Sequence, residues 1–293
     1  MKLTVVSGST GMEIAAEVAN ILETNLIVPQ FKEFRDGESY LRIADVIPEH
    51  ALVIQSLHQP QELNLFQLLN IVSTLKRLGT TTIIVYTPYL CYARADREIL
   101  KGEAISSLTV LSLLESVGVN KLITLDIHNP EVFKYSRMME TINIFPSKSA
   151  SKYFSDNAID LSNSIVIAPD YGALDRAKNL AEELNLPFLH LNKYRDPHTG
   201  EVNIVLNHNH IEAKTVILVD DIISTGGTLS QTASLLLLHD VETIHFVITH
   251  ILGTEAIERL KEIGHGHVIT TNSVPSPLKS ISTSLDLLGV LKS

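Results

Sequence analysis

The sequence has 293 residues, of which 45% are hydrophobic and 19% charged, which is ordinary for a globular protein of one large or two smaller domains. Its formal net charge of −10, without basic clusters, argues against binding to nucleic acid or to anionic membranes. A single cysteine, Cys91, excludes an internal disulfide, and no apolar run approaches the roughly 18 residues of a membrane span, so we expect a soluble cytoplasmic protein.

Short apolar segments alternate with longer helical patterns along the whole chain. Near-continuous Val/Ile segments with helices between them predict an α/β protein built from mainly parallel sheets flanked by helices. The predicted strands are 3–8, 51–56, 81–90, 121–128, 164–170, 187–193, 215–221 and 243–251. The predicted helices are 12–22, 63–79, 106–118, one ending at 184, one after 221 and a short amphipathic one at 284–293.

The boundary between two domains is predicted near "INIFPSKS", residues 142–149. We therefore expect domains at 1–144 and 145–293, with the last helix, about 280–293, as a candidate to pack back on the first domain. In parallel sheets ligands bind at the carboxyl ends of the strands. This rule selects 7–11, 88–97, 126–128, 170–172, 220–228 and 249–250.

The segment "ILVDDIISTGGTL", residues 217–229, combines an apolar strand, two carboxylates, a glycine turn and a helix start. The turn offers backbone N–H groups and hydroxyls to a phosphate, although it lacks the lysine of a Walker A loop. Asp220 and Asp221 suit sugar hydroxyls or waters on a divalent ion. A phosphorylated pentose satisfies both halves; the alternative is a plain capped turn with solvated aspartates. The turn consists of Ser224, Thr225, Gly226, Gly227 and Thr228.

This segment resembles the phosphoribosyl-pyrophosphate-binding motif of the type I phosphoribosyltransferase fold. Further segments resemble the ribose-phosphate pyrophosphokinase family in order and span nearly the whole chain. They are "SGS" (7–9), "FRDGES" (34–39), "PYLCYARADRE" (88–98), "EAIS" (103–106), "LDIH" (125–128), "APDYG" (168–172), "KYR" (193–195) and "ITH" (248–250).

The resemblance implies two phosphoribosyltransferase-like domains, each a mainly parallel sheet flanked by helices. It also implies transfer of the β,γ-diphosphoryl group of Mg-ATP to the 1-hydroxyl of ribose 5-phosphate, which gives phosphoribosyl pyrophosphate (PRPP) and AMP. The cofactor is then Mg²⁺. Residues 1–144 would contribute the ATP site and oligomerisation, and residues 145–293 would bind ribose 5-phosphate and PRPP.

For ATP, the resemblance implies two segments. In "FRDGES", Phe34 is placed to stack on a base, with Asp36 and Glu38 as hydrogen-bond acceptors for the adenine amino group or the ribose. The family extends this loop into a neighbouring subunit's ATP site, which implies a homo-oligomer, either a dimer or a hexamer. The same residues also fit a D-G turn joining two strands of a hairpin.

The second ATP segment is "YARADR", in which Arg94, Asp96 and Arg97 match the family's nucleotide contacts. Ala95 replaces the usual glutamine and removes one amide partner. Without the resemblance, the segment reads as an exposed turn with salt bridges.

Lys193 and Arg195 are the expected catalytic pair. Residues at i and i+2 of a strand share a face, so both cations can reach one polyphosphate. By resemblance they lie on the loop that closes over the transition state, where the arginine supplies a planar fork and the lysine a point charge. The alternative is two surface cations on a hairpin.

The family places magnesium at positions matching His128, which also contacts ATP, and Asp170, which also contacts ribose 5-phosphate. Magnesium prefers oxygen ligands, so a histidine is an unusual direct ligand, and a structural role at a strand end is the alternative for His128. Ala173 stands where the family often has a glycine, and a methyl group there can narrow the approach of the ribose phosphate but need not block it.

Pro130 and Phe133 stand where members inhibited by ADP and activated by phosphate carry Ser and Gln. Neither side chain can donate a hydrogen bond to a phosphate. We therefore expect this allosteric site to be absent or altered.

Two other functions compete with catalysis of PRPP synthesis. A non-catalytic homologue that regulates an active subunit is favoured by Ala95 and Ala173 but not by the retained Lys193 and Arg195. A phosphoribosyltransferase that consumes PRPP explains residues 220–228, but neither "YARADR" nor the doubled α/β architecture.

Overall fold

The computed structural model describes residues 3–44, 47–195, 202–205 and 213–291, and for 192–195 and 202–205 it describes the backbone. The chain divides into two compact units. Unit 1 comprises Met1–Ile144 and Leu287–Ser293, and unit 2 comprises Phe145–Asp286.

Unit 1 is built on a parallel sheet of six strands in the order β2-β1-β5-β6-β7-β8, with a separate antiparallel hairpin, β3-β4. Its strands are β1 (Thr4–Ser7), β2 (Leu26–Ile27), β3 (Gln30–Glu33), β4 (Ser39–Arg42), β5 (His50–Ile54), β6 (Thr82–Thr87), β7 (Lys121–Leu125) and β8 (Glu140–Ile144).

Helices cover both faces of this sheet, because successive strand residues alternate sides and both sets are apolar. Leu68 and Ile71 of one helix pack against Val53 on one face, and Val18 and Leu287 pack on the other. The helices of unit 1 are α1 (Met12–Ile21), α2 (Gln61–Arg77) and α3 (Ser106–Ser116), together with the part of α8 (Ser284–Leu291) from Leu287 onward.

Unit 2 repeats the design with a parallel sheet of five strands in the order β10-β9-β13-β14-β15 and the antiparallel pair β11-β12. Its strands are β9 (Ser164–Ala168), β10 (Phe188–His190), β11 (Asn192–Arg195), β12 (Val202–Val205), β13 (Thr215–Ile223), β14 (Thr243–Ile251) and β15 (His265–Thr270).

The sheet of unit 2 is also covered on both faces. Phe154 and Leu180 pack on one face, and Leu229 and Leu260 pack on the other. Each such buried side chain contributes roughly 1.5–3 kcal/mol through removal of apolar surface from water. The helices are α4 (Ser147–Asp156), α5 (Leu174–Leu184), α6 (Gly227–Leu237) and α7 (Glu255–Gly264).

The strand orders identify where a ligand fits. In both sheets the second strand along the chain lies on one side of the first, and the later strands follow on the other side. The chain therefore reverses direction across the sheet between β1 and β5 in unit 1, and between β9 and β13 in unit 2. A crevice opens at such a topological switch point, at the carboxyl ends of the strands.

The structure confirms the predicted mainly parallel α/β fold and corrects several element boundaries. β13 does not end at the acidic pair but continues to Ile223, paired with β14 as far as Ile251. The strand predicted to reach His128 ends at Leu125. Helices α4 and α7 and strands β2, β8 and β15 were not predicted. Within the described ranges no helix is long and apolar enough to cross a membrane.

A histidine cluster packs at the amino-terminal end of β14. His245 is buried, and its Nδ1 accepts a hydrogen bond from the backbone N–H of His267 at 3.0 Å. Its ring contacts Phe154 edge to face, with 5.6 Å between ring centroids. Burial, and then the neighbouring charge of His267, lower the pKa of His245 to about 4.

Acid should therefore destabilise unit 2. The folded state resists protonation of His245 below pH 6.5, whereas the unfolded chain takes up the proton, so this stability is full above pH 6.5 and is lost between pH 6.5 and 4. The loss amounts to at most about 3 kcal/mol. Thermal unfolding should show the melting temperature of wild type falling over this range more steeply than that of His245→Asn, which keeps an acceptor.

The control is His265→Asn, at an exposed position whose φ of 53° asparagine tolerates. It should retain the pH dependence of wild type. Parallel pH curves for wild type and His245→Asn would contradict the role given to His245.

Candidate active site

The two carboxylates on β13 have different environments. Asp221 is buried, whereas Asp220 is partly exposed and accepts a hydrogen bond from the Asp221 backbone N–H at 3.0 Å. Loss of hydration, and then the charge of Asp221, raise the pKa of Asp220 well above its ordinary value, and the charge of Asp170 adds to the shift. The site therefore concentrates negative charge where water is scarce, and a cation or a hydroxyl donor relieves it.

The turn after β13 leads directly into α6. Gly226 is the N-cap residue with φ 76°, a conformation that glycine adopts at no steric cost. Because Gly226 has no side chain, it does not cap the first amides of α6, and these N–H groups and the helix dipole favour an anion. Ser224, Thr225 and Thr228 are exposed beside them. The turn can therefore offer both backbone and hydroxyl donors to a phosphate.

The segment after β14 contacts the backbone of the turn 224–228 and supports it. A Cβ atom added to Gly253 would lie 2.3 Å from the carbonyl oxygen of Ser224, so only glycine permits this approach. Arg259 Nη1 donates to the carbonyl oxygen of Thr225 at 3.3 Å. The backbone of the turn is thus held by α7 and the residues before it.

Asp170 follows β9, across the switch point from β13, and is partly buried. A short 3₁₀ turn, Tyr171–Ala173, connects it to α5. Ala173 is fully buried among the apolar side chains of unit 2. Its methyl group does not line the exposed surface of the turn, so it does not narrow the approach of a phosphate there.

In unit 1, the segment after β6 is anchored by apolar side chains and exposes its charges. Cys91 and Ala93 are buried, whereas Arg94 and Arg97 are exposed. Burial raises the pKa of the Cys91 thiol to about 12, which keeps it unreactive. The partly buried Asp96 accepts a hydrogen bond from Asn129 Nδ2 at 2.5 Å, which ties this segment to the chain after β7.

His128 is exposed after β7, and the chain before it is fixed. Ile127 N–H donates to Asn143 Oδ1 at 2.9 Å, and Asp126 N–H donates to the carbonyl oxygen of Ile144 at 2.7 Å. The next residues form a 3₁₀ helix, Pro130–Tyr135, in which Phe133 packs against the hydrophobic core.

The predicted D-G hairpin is present as β3-β4, with Gly37 at φ 89°. Asp36 Oδ1 accepts from the Glu38 N–H at 3.3 Å, and the residues of the tip are exposed. The Phe34 ring packs edge to face with Tyr40 at 5.8 Å between centroids, and it remains 42% exposed, which leaves ring surface for another aromatic group.

The switch point of unit 1 is filled by protein. A Cβ atom added to Gly8 would lie 1.8 Å from Gln55 Oε1, which also accepts from the Thr10 N–H at 3.2 Å. Gln55 Nε2 donates to Ser9 Oγ at 3.3 Å. Gln55 is fully buried, and its amide satisfies the polar groups of this loop from within the protein.

The remaining predicted residues are Lys193 and Arg195. Both belong to β11, which pairs with β12 in the registers Lys193↔Ile204 and Arg195↔Val202. Their side chains lie outside the described part of the structure.

Magnesium fits the donors in unit 2. Asp170 and Asp220 offer the hard oxygen ligands that Mg²⁺ prefers, and loss of hydration, followed by the charge of Asp221, raises the pKa of Asp220, which a nearby cation would offset. Among the described side chains no group of three or more His, Cys, Asp or Glu is arranged around one metal position. Mg²⁺ commonly binds one or two carboxylates plus waters and substrate phosphates, so such a group is not required.

Comparison with known proteins identifies the family. Residues 3–118 match the model of the N-terminal domain of ribose phosphate pyrophosphokinase, and residues 147–284 match the phosphoribosyl transferase domain. The ribose-phosphate pyrophosphokinase of Saccharolobus solfataricus is 36% identical over 284 residues, covering 96% of each chain. The chain belongs to the ribose-phosphate pyrophosphokinase family.

Two further relatives agree with this membership. The ribose-phosphate pyrophosphokinase of Pyrococcus furiosus is 36% identical over 263 residues, covering 89% of this chain and 91% of that protein. The crystal structure of phosphoribosylpyrophosphate synthetase from Mycobacterium smegmatis matches with a TM-score of 0.83 at 26% identity, covering 100% of this chain and 98% of that one. The predicted family and fold are therefore confirmed.

Several residues that shape the site were not found from the sequence. Gly253 and Arg259 act through the backbone of a turn that is distant along the chain. Asn129 has no motif of its own. Arg176 was also missed, but for this residue the sequence did contain a signal, because it lies on the buried face of α5 four residues before Leu180. A charge at an apolar-face position of a helix was a signal available from periodicity alone.

Replacement of Gly253 tests whether its close contact with Ser224 keeps the turn 224–228 in place. Gly253→Ala places a methyl group against the Ser224 carbonyl and must displace the turn, and displacement by about 1 Å can cost about 10²-fold in function. We expect titration calorimetry to show that the affinity for ribose 5-phosphate falls at least roughly tenfold.

Thr254→Ala is the matched control, because Thr254 is the next residue and its exposed side chain makes no capping hydrogen bond to α7. Equal affinity in Gly253→Ala and Thr254→Ala would show that the turn tolerates the displacement.

Proposed function

We propose that this enzyme of the ribose-phosphate pyrophosphokinase family transfers the β,γ-diphosphoryl group of ATP to the 1-hydroxyl of ribose 5-phosphate. The hydroxyl oxygen forms a bond to the β-phosphorus, the bond to the α,β-bridging oxygen breaks, and AMP leaves. The products are PRPP and AMP. Support comes from the family membership and from the chemistry of the site in unit 2.

The observation that carries the proposal is the combination at the carboxyl end of β13. Carboxylates at Asp220 and Asp221 and an exposed anion-binding turn at 224–228 lie within nine residues. Hydroxyl groups donate to carboxylates, and phosphate accepts from amides. A sugar phosphate carries both types of group within one small molecule, which is the reason that we assign ribose 5-phosphate to this site.

In the proposed complex the turn holds the 5-phosphate and the acidic residues orient the ribose hydroxyls. Asp170, across the switch point, contacts the sugar phosphate as well. Holding both ends of the sugar fixes the 1-hydroxyl for attack, and fixed orientation is a large part of catalysis of phosphoryl transfer.

On the nucleotide side, we propose that Arg94, Asp96, Arg97 and His128 contact ATP. Phe34, Asp36 and Glu38 of the hairpin would contact the ATP bound to another subunit, so the proposal includes a homo-oligomer. The exposure of the hairpin tip and of Phe34 is compatible with this role.

Lys193 and Arg195 are proposed to stabilise charge on the transferring diphosphoryl group. Two magnesium positions are proposed separately, one at Asp170 in unit 2 and one at His128 in unit 1. When bound, magnesium neutralises phosphate charge and orients the polyphosphate. We further propose that the enzyme is cytoplasmic. We also propose that the ADP/phosphate site is altered or absent, because Phe133 packs against the hydrophobic core.

The proposal is tested by AMP formation from ATP. We expect AMP to appear only when ribose 5-phosphate and magnesium are both present, with one PRPP formed for each AMP. A regulatory homologue would form none, and a PRPP-consuming transferase would release pyrophosphate from PRPP with a nucleobase instead. Either of these results would replace the proposed reaction.

Lys193→Ala provides the matched negative control in this assay. A contact made mainly in the transition state lowers kcat with little change in KM, here by about 10²- to 10³-fold. Lys178→Ala, on the exposed surface of α5, should leave both constants unchanged. Near-normal turnover by Lys193→Ala would remove this residue from the mechanism.

A further inference from the structure

Arg176 is a buried cation to which the proposed reaction gives no role. It lies in the first turns of α5, and only 8% of its side chain is exposed. Its neighbours on the same helix face, Ala177 and Leu180, belong to the hydrophobic core. A guanidinium in such surroundings is costly unless its donors are satisfied.

The donors of Arg176 reach two different segments of the site. Nη1 donates to the carbonyl oxygen of Gly172 at 3.1 Å, in the turn that follows β9. Nη2 lies 3.8 Å from Asp221 Oδ1 on β13, and this carboxylate is as buried as the guanidinium. One planar group therefore spans the switch point between β9 and β13.

We propose that Arg176 is a positioning residue that fixes the turn carrying Asp170 relative to the acidic pair on β13. The proposal rests on the assignment of ribose 5-phosphate to this site. Arg176 acts through Gly172 and Asp221 and does not itself contact the ligand. The guanidinium suits this role, because it donates a directed hydrogen bond to the Gly172 carbonyl and keeps a permanent positive charge beside Asp221.

Stability alone does not explain this ion pair. A buried pair commonly contributes no more than apolar side chains of the same volume, because desolvation offsets the attraction. An apolar replacement cannot supply the hydrogen bond to the Gly172 carbonyl or the opposite charge beside Asp221. The Gly172 carbonyl lies close in the chain to Asp170, and Asp221 is itself proposed to orient the ribose hydroxyls, so the geometry has a use at this position.

The test compares Arg176→Met, which keeps the volume, and Arg176→Lys, which keeps the charge, with Lys178→Met as the control. Lys178 lies on the exposed side of the same helix and pairs with Glu182. We expect Arg176→Met to raise the KM for ribose 5-phosphate by about 10- to 100-fold while the KM for ATP changes less than about twofold. Arg176→Lys should be intermediate, because an ammonium keeps the charge beside Asp221 but lacks the planar fork that also reaches the Gly172 carbonyl.

A purely structural role makes a different prediction. It lowers the melting temperature of Arg176→Met and leaves the KM for ribose 5-phosphate of the folded fraction unchanged, which would overturn the proposal. If Arg176→Met does not fold, Arg176→Lys decides by the same comparison of the two KM values: a selective rise supports the proposal, and unchanged values contradict it.

A double-mutant cycle with Asp221→Asn tests the route through Asp221. Affinity for ribose 5-phosphate, measured by titration calorimetry, should fall less on Arg176→Met in the Asp221→Asn background than in wild type, because the two residues act as a unit. Independent effects would contradict this route. The two proposals fail in different measurements. A wild-type protein that forms no AMP in the assay above defeats the proposed reaction. Equal affinity of wild type and Arg176→Met for ribose 5-phosphate, measured by calorimetry, defeats only the positioning role.

Discussion

The proposed site in unit 2 depends on one electrostatic arrangement: two carboxylates on β13 come shortly before the turn 224–228, whose backbone amides and helix dipole favour an anion. Negative charge at Asp220 and Asp221 and positive potential at the start of α6 lie close together, so each would repel a ligand that suits only the other. A molecule with hydroxyls at one end and phosphate at the other satisfies both. The neighbouring helices α5 and α7 hold the acidic pair and the turn 224–228 in their positions.

The support is distributed around the switch point. Arg176 holds Asp221 from α5, whereas Gly253 and Arg259 hold the turn from the side of α7. These contacts come from opposite faces of the sheet, because α5 and α7 pack on different faces. The acidic pair and the turn are thus supported from different faces of the sheet.

The two units share the same type of strand order but carry different side chains at the switch point. In unit 2 the switch point carries exposed hydroxyls and a partly exposed carboxylate. In unit 1 the equivalent position between β1 and β5 contains the buried amide of Gln55 against Gly8. The residues of unit 1 that are proposed to contact ATP instead follow β6 and β7 or lie on the β3-β4 hairpin. A repeated fold therefore does not imply a repeated binding site.

The sequence predicted the fold and the principal motifs because their signals are local. Val/Ile segments marked the buried parallel strands, and the D-G pair marked the hairpin. Boundaries were less well predicted, as at β13, where Asp220 and Asp221 remain within the strand because pairing with β14 outweighs their low strand propensity. Contacts such as Arg176–Asp221 or Gly253–Ser224 join residues far apart in the chain and follow only from the packed structure. The residue assignments of the active site, including Lys193 and Arg195, stay predictions.

The most direct measurement is a crystal structure of the protein with ribose 5-phosphate. The proposal predicts the phosphate group at the amides of 224–228 and the ribose hydroxyls at Asp220 and Asp221, with the 1-hydroxyl open to solvent. Ribose 5-phosphate bound elsewhere, or bound with its phosphate remote from α6, would contradict the claim that the acidic pair and the glycine turn hold one sugar phosphate.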